Sequence, residues 1–238
     1  CVLVDKDRVK AGRYAIRRFG CDTLLLDDGF QYQKLRHSLE VVLVDKTNPF
    51  GNGHLLPRGV LREPAKNLRR ADFVFITKSD GDSTDVRRLV RTYNPSAEII
   101  ECRHAPRVLR DVYTRDEAPL AWLKGKTLST LSGIAVPQGF ENSLRALGAR
   151  VVYCERYADH HRYAASEIID AVNKAADLHV DALITTEKDA VRFPRLETTP
   201  VPVYYLRVDI ELMKGAENFH EAVDHICHAK PREARTIE

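Results

Sequence analysis

The sequence predicts an α/β fold: a mostly parallel sheet with helices on both faces, arranged as two lobes. Three observations carry that expectation. Short β-branched apolar runs alternate with stretches of helical period. Helix punctuation falls between them, and strand–helix alternation of this kind builds parallel sheets. The pattern breaks once, around Arg103–Ala118, a charged, proline-containing stretch that reads as a linker. The lobes are therefore expected at 1–105 and 106–238, with about 201–238 returning to pack on the first.

In chain order, Val2–Asp5 reads as a strand cut short, and Asp7–Phe19 as a helix. Strands are expected at Thr23–Leu26, Glu40–Val44 and Phe73–Thr77, where aliphatic and β-branched residues cluster. A helix over Thr84–Tyr93 and a strand over Glu98–Cys102 complete the first lobe. Beyond the linker come strands Thr127–Leu131, Arg150–Cys154, Ala182–Thr186 and Val201–Val208. The helices between and after them are Pro137–Leu147, Ser166–Leu178 and Asn218–His228. Pro137 suits a first helical turn and Gly148 the residue past the end. Ser166 is the expected N-cap for the face made by Ile168, Ile169, Val172, Ala175 and Ala176.

With 44% hydrophobic and 30% charged residues, the composition is that of a folded globular protein. A net charge of +3 gives no reason to expect nucleic acid, which is bound by a concentrated basic face. Five scattered cysteines, odd in number and free of C-x-x-C spacing, argue against a metal or disulfide framework and fit a reducing compartment. No apolar run approaches the ~18 residues of a membrane span. The chain opens on Cys1 and holds a single methionine, Met213, so it reads as a fragment; a lipidated Cys1 is the competing reading.

Two stretches carry chemistry. Leu24-Leu25-Leu26-Asp27-Asp28-Gly29-Phe30-Gln31 ends an apolar run in paired carboxylates, the arrangement with which nucleotide-phosphate enzymes hold Mg²⁺. Adjacent side chains in a regular strand face opposite ways, so the pair can serve one ligand only if the strand ends there, with Gly29 allowing a sharp turn. The same residues also describe a plain acidic turn. The second stretch, Pro49–Pro64, is too rich in glycine, proline, apolar and arginine residues for an ordinary connector. Its prolines fix φ, its glycines permit close backbone approach, and Arg58 and Arg62 offer bidentate donors suited to phosphate. Phe50, Leu55, Leu56, Val60 and Leu61 must either tuck inward or meet acyl chains or membrane.

Asp27-Asp28-Gly29-Phe30-Gln31, Asp45, Pro49-Phe50-Gly51-Asn52-Gly53, Leu56-Pro57 and Gly59-Val60-Leu61-Arg62-Glu63-Pro64 together resemble the tetraacyldisaccharide 4'-kinase family, the lipid A 4'-kinases of Gram-negative bacteria. Asp159-His160 and Thr185-Thr186-Glu187-Lys188-Asp189-Ala190 resemble two further signatures in the same order. The resemblance implies a P-loop NTPase-like core and a smaller second α/β lobe. It also implies transfer of the ATP γ-phosphate to the 4'-hydroxyl of a tetraacylated glucosamine disaccharide 1-phosphate, with ATP and Mg²⁺ as cofactors. The partners implied are that lipid and the cytoplasmic face of the inner membrane, held peripherally.

By the same resemblance Asp27 and Asp28 are metal ligands, and Asp28 and His160 are catalytic, His160 as the partner of a catalytic aspartate. Asn52, Arg62 and Glu63 are substrate-binding. There are three departures. The glycine-lysine-threonine phosphate loop, the aspartate partnering His160 and a membrane-associating helix are expected before residue 1, so this chain alone is expected to be nearly inactive. Tyr32 stands where the family usually has histidine. Two other readings fit parts of the pattern, a non-catalytic lipid-binding remnant and a P-loop kinase for a small soluble substrate; the apolar loop disfavours the latter. Arg17-Arg18, Lys66, Arg69-Arg70, Arg87-Arg88, Arg103, His104, Arg107 and Arg110 are either a face for anionic headgroups or solvated surface.

Overall fold

The computed structural model describes residues 1–228. It divides into two compact units, one of Cys1–Arg103 together with the chain from Glu211 onward, the other His104–Ile210. In chain order the elements are α1 (Arg8–Phe19), β1 (Val41–Asp45), β2 (Phe73–Thr77), α2 (Thr84–Tyr93), β3 (Glu98–Asp111), β4 (Glu117–Ala118), β5 (Thr127–Ser132) and α3 (Pro137–Ala146). They continue with β6 (Arg150–Arg156), α4 (Ala165–Asp177), β7 (Ala182–Thr186), α5 (Glu187–Ala190), β8 (Val203–Lys214) and α6 (Glu217–Cys227). Parallel ladders flanked by helices form, as the alternation predicts.

In the first unit β1, β2 and the start of β3 pair in parallel, with Val41 opposite Phe73 and Phe73 opposite Glu98. Four of the five residues of β2 are buried, without alternation, because both faces of the strand are covered. On one face Val44, Val74 and Ile76 meet Val86 and Val90 of α2; on the other Phe73, Phe75 and Ile100 meet Leu212 and Phe219. Phe219 of α6 sets its ring edge-on to Phe73 and Phe75, at 5.3 and 5.0 Å. Asn94, at the end of α2, closes the lower rim. Its amide donates to Leu68 O and Ala71 O, and its side-chain oxygen accepts from Ser96 N and Ala97 N.

In the second unit the parallel order is β8-β7-β5-β6. Leu131, Leu183 and Val203 pack beneath Ile168 and Val172 of α4, and Leu128, Ile184 and Leu206 pack over Leu144 of α3. Each such fully buried aliphatic contributes about 1.5–3 kcal/mol. The ends of α3 obey the sequence: Pro137 opens it and Gly148 follows at φ 90°. The cap of α4 lies two residues earlier than Ser166, at Ala164, whose N–H donates to Glu167 Oε2 at 2.8 Å. Glutamate reaching back supplies what the serine was expected to give.

Three expectations fail. Thr23–Leu26 forms no strand, and Leu25 is 97% exposed; no neighbouring strand among the described residues offers it a ladder. Val2–Asp5 is likewise irregular. Arg103–Ala118, read as a linker, is largely strand. β3 runs on through it to Asp111, and Leu109 pairs antiparallel with Ala118 of β4. Its charges misled because they are spent in ion pairs with β8, Arg103 to Glu211 and Arg107 to Asp209, both at 3.2 Å.

Candidate functional sites in the two units

The acidic pair occupies a turn immediately after residues 23–26. The turn differs from the one expected: Asp28 itself takes the left-handed conformation, at φ 52°, and Gly29 does not. Glycine is required at 29 for space, since a Cβ there would lie 2.7 Å from Leu26 Cβ. Local bonds fix the turn. Tyr32 N–H donates to Gly29 O (2.8 Å), Arg8 Nη2 donates to Asp27 O (3.0 Å), and Tyr32 Oη reaches Asp7, the N-cap of α1, at 3.3 Å. Tyr32 thus ties the acidic turn to the start of α1.

The Pro49–Pro64 loop is ordered by its own backbone. Leu56 N–H donates to Leu61 O (2.9 Å), Leu61 N–H to His54 O (3.2 Å) and Gly59 N–H to Leu55 O (2.9 Å). Asn52 sits inside this fold, its Nδ2 donating to Arg58 O at 2.9 Å and its Oδ1 accepting from His54 N–H. A Cβ at position 59 would fall 2.2 Å from both Asn52 Oδ1 and His54 O, so only glycine closes the loop. Phe50 turns inward and packs edge-on to Tyr93 at 5.4 Å, whereas Leu55, Leu56 and Val60 remain exposed. Of the two alternatives for the apolar residues, tucking inward holds for Phe50.

The acids and the loop meet. Arg62 Nη1 is bonded to Asp28 Oδ2, an ion pair with both side chains more than half exposed, which pushes the Arg62 guanidinium above its ordinary value. Glu63 faces the other way. Both its oxygens accept from Arg70 Nη2 at 3.0 Å, and Oε2 also accepts from Asn67 at 2.8 Å. Arg70 in turn donates to Phe30 O at 3.0 Å, with its guanidinium 4.3 Å from the centre of the Phe30 ring. Asp45 is the last residue of β1. Burial raises its carboxyl, but bonds from Lys78 and Thr47 outweigh that and hold it below the ordinary value.

His160 belongs to the second unit, in a left-handed residue at φ 63°. A buried network holds it. Its N–H donates to Gly133 O (3.1 Å), and Gly133 N–H donates to Asp189 Oδ2 (3.1 Å). Asp189, fully buried, also accepts from Tyr163 Oη (3.1 Å) and Thr186 Oγ1 (2.7 Å). Burial, and then the Asp189 charge, push the Tyr163 hydroxyl up, so tyrosine remains the donor. Arg192 Nη2 reaches His160 Nδ1 at 3.1 Å. The Thr185–Ala190 signature therefore does two jobs: Thr186 caps α5, and Asp189 anchors the turn that carries His160. Position at the carboxyl ends of parallel strands β5 and β7 is the usual place for ligand groups in open α/β sheets. Tyr163 and Arg192 escaped the sequence reading because their partners lie 26 and 32 residues away.

Much of the basic surface is matched by acids: Arg87 to Glu101, Arg88 to Asp85, Arg110 to Glu117. Among the described residues no group of three or more His, Cys, Asp or Glu side chains is arranged to hold a metal ion, and no helix is long and apolar enough to cross a membrane.

A tetraacyldisaccharide 4'-kinase of Anaeromyxobacter sp. strain K is 41% identical over 97% of this chain and 62% of its own length. Its counterpart in Halothermothrix orenii is 32% identical over 94% and 62%. The crystal structure of "apo" form LpxK from Aquifex aeolicus, in complex with ATP, shares the fold, with a TM-score of 0.68 at 24% identity over 94% of this chain and 63% of that one. The chain thus spans about three fifths of the length of the relatives it matches. A family profile described as Tetraacyldisaccharide-1-P 4'-kinase matches residues 1–228, and the chain belongs to that family.

Proposed function

We propose that this chain serves ATP-dependent phosphorylation of the 4'-hydroxyl of a tetraacylated glucosamine disaccharide 1-phosphate, a step of lipid A biosynthesis. The observation that carries the reading is the direct pairing of Asp28 with Arg62, which joins the acidic turn to the loop in a chain of this family. Phosphoryl transfer depends on positioning and charge neutralisation more than on covalent chemistry by the protein. Mg²⁺ takes oxygen ligands and is bound through one or two carboxylates plus substrate phosphates, and the exposed carboxylates of Asp27 and Asp28 are a donor set of that kind. When bound it supplies charge neutralisation to the transferring phosphate.

Arg62 then serves as the link between the two halves of the site. Its guanidinium can hold an anionic group of the lipid while Asp28 keeps it oriented. Asn52 gives the loop its shape, and Glu63 holds Arg70 against Phe30, so both support substrate binding by building the surface that meets the lipid. The exposed Leu55, Leu56 and Val60 offer that surface an apolar margin fitted to acyl chains at the cytoplasmic face of the inner membrane, where the chain would rest peripherally. On this reading His160 serves the reaction as the partner of a catalytic aspartate.

The test is transfer of labelled phosphate from ATP to the disaccharide lipid, with the chain alone and joined to the amino-terminal segment of an Anaeromyxobacter relative. Transfer by the joined protein is expected, with little by the chain alone. A joined protein that binds the lipid but transfers nothing would overturn the kinase reading and favour a lipid-binding remnant.

A further inference from the structure

His160 carries information beyond its place in a motif. A guanidinium has five N–H donors and no acceptor, so the 3.1 Å contact from Arg192 Nη2 leaves one role for Nδ1 of His160: it must accept. In a neutral imidazole the proton then sits on Nε2. That nitrogen is open. Asp159 Oδ2, the nearest carboxylate oxygen to it among the described residues, lies 3.7 Å away, and the side chain is 75% exposed.

Arg192 is itself held from two sides. Its backbone N–H donates to Asp189 O at 2.8 Å, and its Nη1 lies 3.7 Å from the Asp189 carboxylate, which is buried and already shared by Gly133, Tyr163 and Thr186. The turn carrying His160 is fixed from the same carboxylate through Gly133. One buried aspartate thereby sets both partners of the contact. A left-handed backbone at a non-glycine residue is strained and persists where its surroundings over-determine it, as this network does.

We propose that Arg192 is a positioning residue that confines the His160 proton to Nε2, so that His160 meets an anionic oxygen as a neutral hydrogen-bond donor and does not take up the proton of the sugar hydroxyl. This rests on the reading of His160 as part of the phosphate-transfer site, but its first consequence is measurable without turnover. The acceptor of the hydroxyl proton must then be another group. His160 contributes by holding that group, or the charge it faces, in register.

The test begins with nitrogen NMR of the histidine-labelled chain. Wild type should show His160 wholly in the Nε2–H form, with coupling across the hydrogen bond from an Arg192 Nη proton to Nδ1. Arg192→Met should move both ring nitrogens towards the averaged values of a tautomer mixture, and Arg192→Lys should restore part of the difference. Identical ring shifts in wild type and Arg192→Met overturn the proposal. Should the methionine variant fail to fold, absence of the coupling in wild type overturns it equally.

In the joined, active protein, Arg192→Met should lower kcat about tenfold, short of the roughly 10²–10⁴-fold that a proton-transferring group itself supplies, with KM for either substrate changed less than twofold. On a His160→Ala background it should lower kcat no further. A full additional loss there would show that Arg192 acts apart from His160. Full activity of His160→Ala would instead remove His160 from the kinase reaction while leaving the tautomer result to stand or fall alone.

Discussion

The two units hold their chemistry in opposite ways. In the first, Asp28 and Arg62 face water, with side chains 61% and 58% exposed, on a turn and a loop shaped by backbone hydrogen bonds. In the second, Asp189 is fully buried and receives donors from a strand end, a tyrosine and a helix cap. An exposed ion pair contributes at most about 1 kcal/mol, so the first arrangement can be changed without disturbing the fold. A buried carboxylate stripped of its role leaves donors without partners, so in the second the fold and the site fail together.

Substitutions sharpen this contrast. Asp189→Ala should have the largest effect, about 3–5 kcal/mol of destabilisation in urea unfolding, since it orphans Gly133 N–H, Tyr163 Oη and Thr186 Oγ1 at once. A loss below 1 kcal/mol would show that the network is not holding the second unit. Asp28→Ala should lower labelled-phosphate transfer by the joined protein about a hundredfold, the scale of a lost electrostatic contact to the reacting group, with unchanged thermal unfolding. Undiminished turnover would remove Asp28 from the reaction.

Gly133→Ala should cost about 1–3 kcal/mol by overpacking, because its Cβ would lie 2.7 Å from Tyr163 Oη; wild-type stability would mean that the tyrosine moves freely aside. Arg62→Ala should raise KM for the lipid about tenfold and KM for ATP far less, with stability intact, as expected for one lost charged contact. Equal effects on both substrates would count against lipid contact.

The smallest effect concerns acid stability. Glu141, almost fully buried in α3, takes two bonds from Arg156 at 2.8 Å, and these, against the cost of burial, hold its carboxyl below the ordinary value. A depressed carboxylate stabilises the fold at pH above its unfolded value, and that contribution disappears as pH falls through its lowered one. Glu141→Gln should therefore lower stability near neutrality and weaken its acid dependence. An acid limb as steep as that of wild type would assign the loss to other carboxylates.

Local pattern made most elements legible. Phe73–Thr77, Thr84–Tyr93 and Ala182–Thr186 form with the bounds the sequence implies, because apolar period and caps are written in consecutive residues. What was missed depended on distant partners. Thr23–Leu26 has strand composition without a strand beside it, and Arg103–Asp111 has linker composition with acids of β8 to neutralise it. The site divides likewise. The acids and the loop were visible as motifs, but nothing in Asp159-His160 announces that Arg192 completes its hydrogen bonding, or that Tyr32 ties the acidic turn to the cap of α1.

The closure of the loop on Gly59 has a thermodynamic consequence. Because Asn52, His54, Leu56 and Leu61 already bond to one another across it, the disorder a flexible grip would surrender on meeting its cargo is surrendered during folding instead. Capture should then show little entropic penalty from the protein, and lengthening the loop by even one residue at position 59 should weaken affinity chiefly through that quantity.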